Sequence, residues 1–275
     1  MRVLLTNDDG IEAEGLQALR RALQRLDGIE LAVIAPDGNR SAMARSITTR
    51  RPLWVQEVEF GDGTVGYATD GTPVDCVRLA NLGLVERFEA ELVVSGINHG
   101  SNLGDDITYS GTVAAALEAI VLGLPGIAVS QQSSARELDF RVGTGFDFSV
   151  AASFTANLVA ELENTPLPAG TLLNVNVPGA HPAGVEVARL GKRVYQDELS
   201  LVDEDGAERR LYKIYGEASP GRNEAGTDLA AVAQGKIAVT PVHFDLTDRE
   251  GMSVLERYNL ERLVQPAAEN VAVLP

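Results

Sequence analysis

Short apolar runs alternate with longer amphipathic stretches through the first two-thirds of this chain, and that alternation restricts it to a layered α/β architecture. Residues 2–6, 30–35, 91–95, 126–130 and 171–177 read as buried strands. Between the first two, Leu16, Leu19, Leu23 and Leu26 mark one face of a helix that ends at Asp27-Gly28. Thr72 and Pro73 open a second helix, the threonine as N-cap and the proline at the first helical position, running to about Leu84. Residues 111–122 form an Ala-rich helix and 148–162 another, while 54–60 and 64–69 read as a hairpin around Gly61-Asp62-Gly63. Parallel strands joined by helices are covered on both faces. The expected fold class is therefore α/β, a Rossmann-like doubly wound, mostly parallel sheet.

The rhythm changes after Val185. Residues 185–195 and 210–216 read as extended strands joined by the charged stretch 196–209, with a turn at Asp203-Glu204-Asp205-Gly206. A polar loop follows at 220–226, then a short helix from Thr227 to Gln234, a strand at 236–241 and a helical tail at 253–264. The chain reads as one domain over 1–275: a Rossmann-like core at 1–184, an extended hairpin and oligomerisation region at 185–235, and a C-terminal strand and helix at 236–275. A protruding two-stranded hairpin has little core of its own and needs another surface to pack against, such as a second subunit.

Composition narrows the partners. A net charge of −16 opposes nucleic acid and anionic membranes, so neither is expected as a partner. The single cysteine, Cys76, excludes an intrachain disulfide and a Cys-based zinc cage, and it falls in an apolar helical pattern as a core residue. No signal peptide or membrane-length apolar window is visible, which makes the expected location cytoplasmic.

The first strand stops on Asp8-Asp9-Gly10. Adjacent carboxylates repel, and a fold tolerates that most readily where a cation sits between them. The carboxyl end of a strand is also where open α/β sheets bind ligands. Two further polar loops follow strands at the same edge, Pro36-Asp37-Gly38-Asn39-Arg40-Ser41 and the Asn- and Gly-rich stretch 95–106. Together they offer an all-oxygen donor set suited to Mg²⁺, Mn²⁺ or Ca²⁺. At this level Ser41 competes with Asn39, and Asn98 with Asn102. Ser110, Gly111 and Thr112 open the Ala-rich helix and offer amides and hydroxyls to an anion. Plain alternatives exist for each feature: Asp-Asp-Gly is a common turn, Ser110 an ordinary N-cap, and His99 and His243 satisfied polar residues.

Familiar phosphate and nucleophile signatures are absent or out of context. Residues 61–66 match G-x-G-x-x-G but lead into a strand instead of a helix, and neither a P-loop nor a Gly-x-Ser-x-Gly elbow occurs. The remaining motifs form a recognisable series. Leu-Leu-Thr-Asn-Asp-Asp-Gly stands at 4–10, Ala-Pro-Asp-Gly-Asn-Arg-Ser at 35–41 and Gly-Thr-Pro-Val-Asp-Cys-Val at 71–77. Ser-Gly-Ile-Asn-His-Gly-Ser-Asn-Leu-Gly-Asp-Asp follows at 95–106, Tyr-Ser-Gly-Thr-Val-Ala-Ala-Ala at 109–116, Thr-Asp at 227–228, Val-Thr-Pro at 239–241 and Asp-Leu-Thr at 245–247. In this order the chain resembles the SurE survival protein family of metal-dependent 5′-nucleotidases.

That resemblance implies one divalent cation per subunit, Mg²⁺ or Mn²⁺, held by Asp8, Asp9, Ser41 and Asn98, with Asp8 and Asp9 catalytic. It implies a phosphate side made of Asn102, Ser110, Gly111 and Thr112. Hydrolysis of nucleoside 5′-monophosphates is the implied activity, extending to other phosphate monoesters and short polyphosphate in some members. A homodimer or homotetramer with exchanged C-terminal segments is the implied assembly. Two positions depart from the pattern: Ala13-Glu14-Gly15 stands where many members have Ala-Pro-Gly, and Ala42 where many have glycine. Competing readings are an aspartyl-phosphate phosphatase and a non-catalytic nucleotide or metal sensor.

Overall fold

A computed structural model describes residues 1–137, 144–193, 198–205, 209–214 and 224–264. The chain divides into two units, 1–243 and 244–275. In the first unit the elements run β1 (Arg2–Thr6), α1 (Glu14–Leu23), β2 (Glu30–Pro36), β3 (Val55–Glu59), β4 (Val65–Thr69), α2 (Pro73–Asn81), β5 (Leu92–His99), α3 (Gly111–Val121), β6 (Gly126–Gln131) and α4 (Ser149–Asn164). There follow β7 (Thr171–Val177), β8 (Val185–Val187), β9 (Ser200–Asp205), β10 (Arg209–Lys213), α5 (Asp228–Ala233) and β11 (Ile237–His243). The second unit holds α6 (Arg249–Leu255), capped by Asp248, and a 3-10 turn at Leu260–Val264.

Nine strands form one sheet in the order β3-β4-β2-β1-β5-β6-β7-β11-β8. The neighbours from β4 to β7 are parallel, β3 and β11 run antiparallel to β4 and β7, and β8 joins β11 in parallel. Alternation along β1 separates two cores. Val3 and Leu5 pack in a cluster with Leu16, Leu19 and Leu23 of α1 and Ala152, Ala156 and Val159 of α4. Leu4 lies in the opposite cluster with Cys76 and Val77 of α2 and Ala115 and Ala119 of α3. This period-2 division of one strand between two helical layers is what a doubly wound sheet requires. The expected fold class holds, and Cys76 is a buried free thiol. The chain runs outward from β1 to β2 and returns to pair β5 on the other side of β1. That reversal puts the switch point between the carboxyl ends of β1 and β5, where doubly wound sheets bind their ligands.

The region after Val185 differs from its expected layout. β8 is only three residues long and belongs to the main sheet. The hairpin strands are β9 and β10, so Asp203, Glu204 and Asp205 extend a strand where a turn was expected. The physical reason is cross-strand charge: Glu204 faces Arg210 in the register and pairs with its guanidinium at 3.6 Å. The expected end of the first strand at Tyr195, the glycine of the 203–206 turn, the end of the second strand at 215–216 and the loop at 220–223 lie outside the described residues. The tail helix begins earlier than expected, at Arg249, because Asp248 accepts a hydrogen bond from the Gly251 amide and starts it there.

Candidate active site

β1 delivers Asp8 and Asp9 through a turn closed on itself by Asn7. Its carboxamide donates to the Gly10 carbonyl at 2.9 Å and accepts from the Gly10 amide at 3.2 Å. Gly10 has φ +112, and a Cβ there would lie 3.1 Å from the Gly38 Cα, so the turn and the β2 loop touch backbone to backbone. Asp8 is only 3% exposed. The Thr112 hydroxyl donates to its Oδ1 at 2.5 Å. On the other oxygen, a Cβ at Gly111 would come within 2.8 Å of Oδ2, so only glycine lets the first turn of α3 approach this closely. Burial, followed by repulsion from Asp9, pushes the Asp8 carboxyl up to about 6 against the pull of Thr112. Asp9 is bonded differently. Its Oδ2 accepts from the His99 backbone amide at 3.1 Å and lies 3.0 Å from His99 Nδ1, and its Oδ1 accepts from Asn39 Nδ2 at 3.3 Å. Among the described residues, neither carboxylate pairs with a lysine or an arginine.

The β2 loop is held against this turn. The Arg40 amide donates to the Asp8 carbonyl at 2.6 Å, and the Ile11 amide to the Pro36 carbonyl at 2.8 Å. Ser41 follows directly, exposed at its side chain, with its own amide donating to Asn39 Oδ1 at 2.8 Å. Ala42 and Ala44 adopt the left-handed region, φ 59 and φ 50. Ala42 thus occupies a conformation that glycine takes without strain. Farther along, Arg45 ties the loop to Glu118 of α3 at 2.7 Å, and Arg78 of α2 reaches the other oxygen of the same buried carboxylate at 2.6 Å.

β5 does not stop at Ser95 as expected. Ser95 pairs with Ala128 and Asn98 with Ser130, so three steps on β5 match two on β6, and the strand bulges and resumes. Gly96 makes this possible: at φ +132, a Cβ would sit 2.3 Å from the Val129 carbonyl. Gly15 of α1 packs on the same bulge, its Cβ position 2.1 Å from the Ile97 carbonyl. The bulge brings His99 onto Asp9 of the β1 turn. The Asn98 side-chain nitrogen donates to the Gly100 carbonyl at 2.9 Å, which leaves its amide oxygen as the side-chain atom able to coordinate a cation. The His99 pKa is raised, chiefly by the Asp9 hydrogen bond and against the effect of burial.

The phosphate-side residues divide. Asn102 is committed to a buried amide network: its Nδ2 donates to Ser130 Oγ at 2.8 Å, its amide to Asn176 Oδ1 at 2.8 Å, and its carbonyl accepts from Asn174 and Asn176 at 2.9 Å. Ser110 Oγ accepts from the Val113 amide as the α3 N-cap, and Thr112 serves Asp8. The Thr112 amide, like its hydroxyl, bears on the Asp8 carboxylate, which leaves the Gly111 amide as the uncommitted donor of the first helical turn. Among the described residues no three His, Cys, Asp or Glu side chains converge as a metal cage. A cation here would therefore need neutral oxygens besides Asp8 and Asp9, and Ser41 on the β2 loop and Asn98 on the β5 bulge carry oxygens of that kind. Two carboxylates with neutral oxygen donors fit a hard divalent ion.

The model of the family described as Survival protein SurE matches residues 3–197. The chain belongs to the SurE family. A SurE relative from Rubrobacter xylanophilus, named 5′-nucleotidase SurE, is 53% identical over 96% of this chain and 99% of its own. One from Pelotomaculum thermopropionicum with the same name is 45% identical over 94% and 95%. The crystal structure of the SurE protein from Aquifex aeolicus superposes with a TM-score of 0.77 at 37% identity, covering 93% of this chain and 98% of that one. Within this SurE-family frame, two links escape sequence reading: the His99–Asp9 contact and the service of Thr112 to Asp8. The only sequence signal for either was proximity, His99 lying next to Asn98 and Thr112 next to Gly111. Among the described residues no helix is long and apolar enough to cross a membrane.

Proposed function

We propose that this chain is a divalent-metal-dependent phosphatase that hydrolyses nucleoside 5′-monophosphates to nucleosides and phosphate. The observation that carries the reading is the adjacent Asp8–Asp9 pair at the switch point, Asp8 buried against the first turn of α3 and Asp9 partly buried, with no lysine or arginine partner among the described residues. Negative charge gathered without a lysine or arginine calls for a cation, and the uncommitted Gly111 amide at the α3 N-terminus beside it calls for an anion. A metal-bound phosphate ester satisfies both. The nucleotide preference comes from the relatives named 5′-nucleotidase.

Asp8, Asp9, Ser41 and Asn98 would hold Mg²⁺ or Mn²⁺. When bound, such an ion supplies Lewis acidity and a water of lowered pKa. Thr112 fixes the orientation of Asp8 by donating to its Oδ1, which would hold the carboxylate ready for such an ion. The Gly111 amide would donate to a phosphoryl oxygen as charge develops there, while Thr112 holds Asp8 through its hydroxyl and amide. Ser110 preserves that geometry by capping the helix. Asn102 acts one layer back, holding the loop through Ser130, Asn174 and Asn176. Activity on other monoesters or short polyphosphate belongs to the same proposal. So does assembly into a homodimer or homotetramer, supported by Leu201, Val202, Leu211 and Tyr212, which all lie exposed on β9 and β10.

The test is phosphate release from AMP by the purified full chain. Activity should vanish in EDTA and return with Mn²⁺ or Mg²⁺. Undiminished turnover in EDTA, or a trapped phosphoaspartate, would overturn the metal-water reading.

A further inference from the structure

His99 stands beside the carboxylate pair without belonging to the proposed ligand set. Its backbone amide and its Nδ1 both meet Asp9 Oδ2, at 3.1 and 3.0 Å. A carboxylate oxygen accepts, so the ring nitrogen facing it carries the hydrogen. The ring is held in place from its sides. Phe146 and Phe148 meet it edge to face, with centroids 5.1 and 4.8 Å away and planes inclined by 77° and 74°. Those two phenyl rings stack on each other at 5.5 Å, only 4° from parallel. Such edge contacts have preferred geometry, so the imidazole has little freedom to leave Asp9.

We propose that His99 is a positioning residue for Asp9: it occupies Oδ2 with two donors and thereby turns Oδ1 toward the cation. The inference rests on the metal-dependent reading above. Asn39 is the other group on Asp9 Oδ1, at a longer 3.3 Å, and is the contact a cation displaces. Asp8 is held instead by Thr112, whose hydroxyl donates to its Oδ1 and whose backbone amide also bears on the carboxylate. The two aspartates are thus oriented by different neighbours, α3 for Asp8 and the β5 bulge for Asp9. Outer groups that hydrogen-bond a metal ligand commonly govern affinity by about 10–100-fold. The lower end applies here, because the His99 backbone donor survives any substitution.

The experiment measures Mn²⁺ affinity of the metal-free full chain by calorimetry, with thermal unfolding as the control for folding. His99→Leu fills the slot between the phenyl rings without a donor. His99→Asn places an amide N–H near the position of Nδ1. The expected result is about tenfold weaker Mn²⁺ binding in His99→Leu and recovery to within about threefold of the parent in His99→Asn. Equal affinity in His99→Leu and the parent would overturn the inference while leaving the metal site standing. So would a His99→Asn chain that is stably folded yet as weak as His99→Leu. A parent chain that binds no Mn²⁺ would overturn the metal reading itself, and the role of His99 with it.

Discussion

Two clusters of aspartates lie near the carboxyl edge of this sheet, and they are balanced in opposite ways. Asp106 is buried against the Arg193 guanidinium, and Asp105 accepts from the Arg193 amide at 3.1 Å. Asp228 is fully buried and takes three backbone amides at 2.8 Å, from Gly104, Gly191 and Leu229. Asp105 and Asp106 tie the loop after β5 to the segment around Gly191, and Asp228 ties both to α5. Asp8 and Asp9, in contrast, face each other's charge with only hydroxyl, amide and imidazole neighbours. The scaffold cluster carries its compensation within the chain, whereas the switch-point cluster leaves charge for a ligand to neutralise. Removing a carboxylate should therefore harm stability at the first cluster and activity at the second.

The largest expected effect is catalytic. Asp8→Asn and Asp9→Asn should each lower kcat on AMP by at least ~10²-fold at saturating Mn²⁺, a transition-state loss of roughly 3 kcal/mol or more. Near-normal turnover in either would erase the functional half of the comparison. Next comes the scaffold. Arg193→Met leaves Asp106 buried without its guanidinium and should cost about 3 kcal/mol in denaturant unfolding. A loss under about 1 kcal/mol would mean the scaffold cluster is not held by its charge balance.

Asp8 gives a pH signature of similar size and opposite character. Below about pH 4 its carboxyl is neutral in both folded and unfolded chains. Between 4 and 6 it ionises in the unfolded chain but keeps its proton in the fold, where the pKa stands at about 6. The unfolded state then binds fewer protons, so stability of the metal-free protein falls as pH rises across that window, by about 3 kcal/mol in total. The difference between parent and Asp8→Asn isolates this contribution from other groups. Asp8→Asn should be the more stable of the two at pH 8, and equal stability there would show that the pair is not under strain. The smallest expected effect is at Ala42. Relieving its left-handed backbone with Ala42→Gly should raise stability by about 1 kcal/mol with activity unchanged.

Much of this was legible in the chain because it depends on local pattern. The strand after Met1 shows as a short apolar run, the strand at 171–177 as a Leu- and Val-rich stretch broken only by Asn174 and Asn176, and Thr72-Pro73 writes a helix start that the capping box with Asp75 realises. The convergence of the β1, β2 and β5 loops follows from sheet topology alone. What escaped depends on partners distant in sequence. Gly96-Ile97 reads as a loop, since only contact with Val129 turns it into a bulge that continues β5. The hairpin strands were misplaced because both their faces are exposed, so no core imposes an alternating pattern on 200–213. Thr112 reads as a phosphate ligand by its place at a helix start, and its hydroxyl instead serves Asp8 across 104 residues of chain.

The most direct test of the charge imbalance is a calorimetric Mn²⁺ titration of the metal-free protein at pH 6 and pH 8, repeated in buffers of different ionisation enthalpy. With Asp8 titrating at about 6, binding of one ion per chain should release roughly half a proton at pH 6 and almost none at pH 8. Asp8→Asn should lose the pH 6 release. Failure to bind Mn²⁺ at either pH, or the same proton release from Asp8→Asn, would contradict the account.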